Sequence, residues 1–345
     1  MDNIIESYDR QGLLSLMEDL GEPQFRARQL YGWLYQKGVS SYEDMTNLSR
    51  ALRLRLQERT PLVRPEIIQQ ATSSDGTKKL LLRLSDGAIV ETVGIPSEND
   101  GRLTVCFSTQ SGCPMACSFC ATGKEGLNRN LLIGEIVEQV LLVQQAFECR
   151  VSNVVAMGQG EPFLNYDNTI EALRILNDKK AMGIGARHIT ISSCGIIPGI
   201  ERLAREPEQF TLAVSLHSAL QDTRDRLMPK VAKYPLTALK KSLSHYILAT
   251  KRRVTFEYIM IDGVNDGKDA LKALLQFCDD LLCHVNLIPI NAVEGQSFQP
   301  SDRKTIRNWL ETIQRNGLEC TLRHSKGSDI FGACGQLKNT YIRQH

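Results

Sequence analysis

From residue 102 onward, strand-like and helix-like segments alternate six times without interruption. LTVCF precedes IVEQVLLVQQAF, NVVAM precedes NTIEALRIL, HITIS precedes IPGIERLA, TLAVSL precedes LTALKKSLSHYIL, VTFEYIM precedes ALKALLQFCDDLL, and VNLIPI precedes TIRNWLETIQ. A strand, a covering helix and a second strand make a parallel pair. Six such units in succession predict an α/β fold with a parallel sheet under helices, either a partial barrel or a doubly wound sheet.

The chain has 345 residues, which at about 150 per domain leaves room for a second unit. Residues 1–60 read as short helices: IIESYDRQGLLSLMEDL, FRARQLYGWLYQKG and LSRALRLRLQER. Residues 61–100 change texture, with KKLLLRL and AIVETVGI on either side of SDG and a further turn at Asp75–Gly76, so a small β linker sheet is expected there. The expected division is a helical accessory module (1–60), the linker sheet (61–100) and the β/α core (101–345). No apolar run approaches the roughly 20 residues of a membrane span. The start, MDNIIESYDRQG, lacks the basic-then-apolar pattern of a signal peptide. A cytoplasmic protein without membrane contact is expected.

The residues least suited to a core cluster at the carboxyl ends of the expected strands. CPMACSFC follows the first strand, residues 158–162 the second, 192–195 the third, 215–218 the fourth, 262–266 the fifth and Asn291 the sixth. In parallel sheets and barrels the loops at that edge converge on one mouth, which holds the active site. One composite site is expected.

Ten cysteines in a reducing compartment point to metal ligation or thiol chemistry rather than a disulfide framework. Cys113, Cys117 and Cys120 fall within eight residues as Cys-x3-Cys-x2-Cys. Closely spaced thiolates hold iron–sulfur clusters, whereas structural zinc takes four closed ligands. An iron–sulfur site is the first expectation, zinc completed by a distant cysteine the second, and chance clustering the third. A cubane on three thiolates leaves one iron open to a substrate.

With this spacing after the first of several β/α units, the chain resembles the radical S-adenosylmethionine (SAM) superfamily. It is more closely similar to the RlmN/Cfr group of adenosine methyltransferases, through ETVGIP, CFSTQSGCPMACSFCATG, MGQGEPFLN, SLHS, NLIPIN and KGSDIFGACGQL. FRARQLYGWLYQKGVSSYEDMTNLS resembles the group's accessory domain. The resemblance implies a partial (β/α)6 radical SAM barrel and a [4Fe-4S] cluster on Cys113, Cys117 and Cys120. It also implies two SAM per turnover, bound through Gly160, Glu161, Ser192, Ser215, Leu216, His217 and Asn291. Cys334 matches the cysteine that carries the methyl group, Cys106 the one that closes a disulfide with it to release product, and Glu91 the proton acceptor. The implied substrate is 23S ribosomal RNA, with transfer RNA as a further one. The implied partner is an external electron donor such as flavodoxin or ferredoxin, and the implied state a monomer. A carbon carried on sulfur suits this reaction, because an electrophilic ring carbon and an electrophilic methylsulfonium are mismatched and covalent attachment splits the substitution into easier steps.

Pro162 favours methylation at C2 over C8. Gln159, Cys194, Phe331 and Gly332 depart from the group's usual residues. A non-catalytic zinc protein that binds RNA is the alternative of another class. Cys149, Cys278, Cys283 and Cys320 read as packing residues, and Asp262–Asp266 as a turn. Residues 224–253 carry nine Lys/Arg against one Asp. A solvated helix face competes there with a phosphate-binding surface, and Arg26, Arg28, Arg53 and Arg55 form a second candidate surface.

Overall fold

The computed structural model describes residues 4–98, 100–124, 126–291 and 297–337. The helical start contains α1 (Arg10–Asp19), α2 (Phe25–Gly32) and α3 (Arg50–Arg59). The first helix begins later than its apolar periodicity implies. Asp9 takes extended backbone and its carboxylate accepts the Gly12 N–H at 2.6 Å, an N-cap that fixes the start. Residues before it form only a 3-10 turn, Ile5–Ser7. The segment after α2 runs on as a π-helical turn, Trp33–Lys37, and stops at Gly38 in the left-handed conformation, where a residue without Cβ fits.

Three antiparallel strands follow: β1 (Glu66–Thr72), β2 (Lys78–Arg83) and β3 (Ile89–Pro96). Then come β4 (Leu103–Cys106), the hairpin β5 (Gln110–Gly112) and β6 (Leu127–Asn130), and α4 (Ile133–Phe147). The core continues through β7 (Asn153–Ala156), α5 (Tyr166–Asn177), β8 (Ile189–Ser193), α6 (Ile197–Leu203), β9 (Thr211–Ser215), α7 (Gln221–Leu227) and α8 (Leu236–Thr250). It ends with β10 (Val254–Met260), α9 (Lys268–Cys278), β11 (Cys283–Pro289), α10 (Arg303–Arg315) and β12 (Glu319–Leu322).

All pairs from β4 to β12 in the order β4-β7-β8-β9-β10-β11-β12 are parallel. Each of the six expected strands is present. A seventh parallel strand, β12, was not foreseen, because ECTL is too short and too polar on one face to stand out. The expected linker strands do not form a sheet apart: β3 pairs antiparallel with β4, so β1–β3 extend the core sheet to ten strands. The helical start likewise shares one apolar core with the rest, since Leu13, Leu30, Tyr35 and Leu52 belong to the same buried cluster as Val137 and Phe256. Buried Glu138 of α4 meets Arg64 at 3.2 Å across this seam, and burial lifts its carboxyl to about 7 while Arg64 pulls it down. No described helix is long and apolar enough to cross a membrane.

Helix α4 lies closely against β3. A Cβ on Gly94 would sit 2.4 Å from the Phe147 ring and 2.6 Å from Val143 Cγ1, inside van der Waals contact with two packed side chains. Gly94→Ala is therefore expected to destabilise the fold by about 1–3 kcal/mol, the usual cost of overpacking, measured by urea denaturation. An unchanged midpoint would mean that α4 can shift freely.

Candidate active site

The cysteine loop is pinned at both ends. At its base the Cys113 N–H donates to Gly126 O at 2.9 Å; at Gly112, φ is +75° and an added Cβ would lie 2.1 Å from Gly126 O, so only glycine permits the closure. Within the loop, Ser118 N–H donates to Leu227 O at 2.9 Å, which docks it on the end of α7. At its far end Ala121 N–H donates to Gly335 O at 2.8 Å and Thr122 Oγ1 donates to Leu337 O at 3.1 Å. Those two bonds bring the segment carrying Cys334 to the sheet mouth, and Asn291 Nδ2 holds the Cys334 carbonyl at 3.2 Å.

The three thiols share one cavity, about 950 Å³ of atom-free space with its open mouth included. Gly160, Glu161, Ser192, Ser215, His217, Asn291 and Cys334 line the same space. Its walls come from the carboxyl ends of β7, β8, β9, β10 and β11, as the strand-end argument expects. Gly158 and Gly160 let the second loop press on the first strand: Cβ atoms there would lie 2.6 Å from Phe107 O and 2.7 Å from Gln110 Cβ. Glu161 is buried, and its carboxylate accepts the Cys194 N–H at 2.7 Å and the Phe163 N–H at 3.1 Å. Burial raises its pKa, against those bonds. His217 has left-handed backbone (φ 56°), and its ring stands edge-on to Phe119 at 4.7 Å. Its Nδ1 accepts the Ile259 N–H at 3.2 Å, which puts the ring proton on Nε2. Burial, aided by Arg224, depresses its pKa to about 3, so the ring is neutral.

Leu216 differs from its neighbours. Its side chain is wholly buried in the core and absent from the cavity wall, and its N–H is spent on Glu257 O at 3.1 Å. Cys106 and Glu91 also lie outside the main cavity. Cys106 lines an adjoining chamber together with Cys334; burial pushes its thiol up to about 12. Glu91 lines a third chamber with Lys79 and Phe331, and its carboxylate meets Lys79 Nζ at 3.1 Å. Ile330 and Phe331 border the Glu91 chamber, and Gly332, Ala333 and Cys334 the Cys106 chamber.

Burial pushes the Cys113 thiol to about 12 and raises that of Cys120, so these thiolates need a cationic centre to exist. Cys194 Sγ lies 4.0 Å from Cys117 Sγ, and the contact with Cys117, with burial, raises its thiol. Even so, no three Cys, His, Asp or Glu side chains among the described residues converge on a point that could hold a single ion. Three thiols lining one cavity suit a cluster in which each thiolate reaches its own iron. Beneath the loop, Arg224 is fully buried; Nη2 donates to Cys194 O at 2.8 Å while Nε and Nη1 have no partner among the described residues.

That burial removes Arg224 from the basic surface expected over residues 224–253. Arg252 is spent on Phe210 O and Thr211 Oγ1, Arg253 on Glu319, and Lys240 on Gln276 O. Arg226, Lys230, Lys233, Lys241 and Lys251 remain exposed. On the helical start, Arg26 holds Asn47 O, Arg53 holds Glu43 and Arg55 holds Leu20 O and Glu22, which leaves Arg28 exposed. Arg323, Met157 and Glu257 line the main cavity and were not anticipated. For Arg323 the usable signal was its place at the end of the overlooked strand β12.

Residues 3–62 match the family described as ribosomal RNA large subunit methyltransferase N-terminal domain, and residues 107–277 match the radical SAM superfamily. A protein of Clostridium novyi named "Probable dual-specificity RNA methyltransferase RlmN" is 42% identical over 346 aligned residues, covering 100% of both chains. A protein of Synechococcus with the same name is 45% identical over 94% of this chain and 92% of its own. The crystal structure of a radical SAM methyltransferase from Sphaerobacter thermophilus superposes with a TM-score of 0.91 at 40% identity, covering 97% of this chain and 99% of that one. The chain belongs to the RlmN family of radical SAM RNA methyltransferases.

Proposed function

We propose that the chain methylates C2 of adenosine in 23S ribosomal RNA and in transfer RNA, using Cys334 as methyl carrier. The observation that carries the reading is that Cys334 lies on the wall shared by two spaces, one lined by the three loop thiols and the other by Cys106. Cys113, Cys117 and Cys120 would hold a [4Fe-4S] cluster, which together with SAM would supply the one-electron chemistry needed to take a hydrogen atom from the carried methyl group.

The chain's own residues do the rest. Glu161, Ser192, Ser215 and Asn291 offer a carboxylate, two hydroxyls and an amide to the charged methionine portion and the ribose of SAM. Neutral His217 fixes the wall through Ile259 and Phe119. Leu216 contributes only backbone placement. Cys334 holds the carbon against the adenine, Glu91 accepts the ring proton, and the Cys106 thiolate attacks the Cys334 sulfur, so that the S–S bond forms as the S–C bond breaks; the electron pair of that bond stays on the carbon, which takes up a proton from solvent to become the methyl group. The target adenosine has to leave its stack to reach this mouth. Residues 1–60, with Arg28, and the exposed Arg226, Lys230 and Lys233 serve as phosphate contacts. An external one-electron donor such as flavodoxin or ferredoxin, a monomeric state and a cytoplasmic location complete the reading.

Anaerobic reconstitution is expected to load about four iron and four sulfide per chain, and the loaded protein with SAM and reductant to yield 2-methyladenosine in RNA digests. One zinc without sulfide, or methylation at another atom, overturns the reading. Cys106→Ala is expected to leave RNA covalently bound to Cys334, seen as a band resistant to denaturation that nuclease shortens. Replacing Arg226, Lys230 and Lys233 together by Ala should weaken RNA binding evenly across sequences and flatten its salt dependence by about one unit of slope per lost phosphate contact, measured by binding titrations at several salt concentrations.

A further inference from the structure

Arg323 follows β12 directly, and its N–H donates to Leu287 O at 2.9 Å, so its backbone continues the sheet. Its side chain belongs to the wall of both the main cavity and the Cys106 chamber, together with Met157, Ile288 and Cys334. The guanidinium is poorly matched to the protein around it. Nη1 lies 3.9 Å from Glu257 Oε2, too far for a hydrogen bond, and 3.7 Å from Met157 Sδ, a weak acceptor. Glu257 is buried, and its Oε2 has no hydrogen-bond partner among the described residues. A planar cation with five donors thus sits on the wall between two chambers, short of acceptors, sharing the main cavity with Cys334 and the adjoining chamber with both Cys334 and Cys106.

We propose that Arg323 is a positioning residue that serves as counter-charge to both thiols in turn, first to the Cys334 thiolate and then to that of Cys106. This rests on the function proposed above. In the first step the Cys334 thiol gives its proton to solvent. Its sulfur lone pair forms the S–CH3 bond while the bond from that methyl to the SAM sulfur breaks, and both electrons of the broken bond stay on the departing sulfur. The thiolate's charge and the sulfonium's charge cancel, leaving two neutral thioethers. Arg323 then loses its partner at Cys334 and faces Cys106, whose buried thiol has to ionise before it can close the disulfide. One fixed cation lowers the cost of a thiolate at each stage, because the thiolate is the nucleophile in both.

The charges agree with this order. The Cys334 charge is the main influence raising the pKa of Arg323, opposed by burial and reinforced by Glu257 and Cys106. For Cys106, Arg323 opposes the upward push of burial. The other titratable groups lining the Cys106 chamber are His324 and Lys326; Lys326 is engaged with Glu98. On the main-cavity side Glu161 and neutral His217 share the wall.

The test is the pH dependence of iodoacetamide alkylation of Cys334 in the reduced, cluster-loaded full chain without SAM, read by peptide mass spectrometry. Exposed Cys149 is the internal reference. Arg323→Met is expected to move the Cys334 curve up by about one pH unit, roughly a tenfold slower reaction at neutral pH, with Arg323→Lys restoring most of the shift and Cys149 unchanged. Glu257→Gln, which removes the competing carboxylate, is expected to move the curve down. An unmoved Cys334 curve in Arg323→Met overturns the proposal, as does a Lys variant that behaves like Met. Should Arg323→Met fail to fold, an unmoved curve in Glu257→Gln does the same. Because thiol ionisation is read without RNA or SAM, a chain that fails to methylate RNA refutes the proposed function and leaves this measurement standing.

Discussion

Everything at the mouth follows from seven strands running the same way. With β4 and β7–β12 parallel, each strand delivers its following loop to one edge, and residues more than 200 positions apart in sequence, such as Cys113 and Cys334, come to line one cavity. The antiparallel β1–β3 extend this sheet beyond β4, and so place Val93 opposite Cys106. Glu91 stands two residues along the same face of β3. The chemistry is distributed along a sheet edge rather than gathered on one loop.

The division of labour between the chambers has an energetic basis. The main cavity combines buried groups that cannot carry charge unaided: Glu161 held by two backbone N–H groups, a neutral His217 and thiols raised by burial. Such a wall favours ligands that bring their own charges, a cationic cluster and a zwitterion. The adjoining chamber is lined in part by the exposed His324 and Ser325, which suits a macromolecular substrate entering from outside. Cys334 is exposed and Cys106 buried, an arrangement that suits the proposed roles of an outward-facing carrier and a resolving thiol behind it.

Much of this was legible in the sequence. Six strands announced themselves by runs such as VTFEYIM, and the strand-end argument alone collected Cys113, Gly160, Ser192, Ser215, His217 and Asn291, which do share one cavity, whereas residues 262–266, collected the same way, do not line it and Glu257 and Ile259 represent that strand instead. What escaped was whatever lacked an apolar run. The four-residue β12 has a single buried residue, Cys320, and with it Arg323 was missed; the three-residue β5 is buried among polar side chains. Charge counting misled for a related reason. Sequence cannot tell the buried Arg224 from the exposed Arg226 two residues on, because helix α7 turns one to the core and the other to water. Leu216 was carried in with SLH, although it is buried in the core and absent from the cavity wall.

The tie between the cysteine loop and residues 335–337 has a thermodynamic corollary. Ala121 and Thr122 hold Gly335 and Leu337 by two hydrogen bonds, so the ordered states of the loop and of the Cys334 segment share part of their free energy. Linkage then makes the coupling reciprocal: whatever binds and orders the loop favours the docked Cys334 segment by the same factor that docking favours the loop. Under the proposed function, loss of an inorganic centre held by this loop would also loosen the mooring of Cys334, and assembly of that centre would double as a checkpoint on readiness to accept the first carbon.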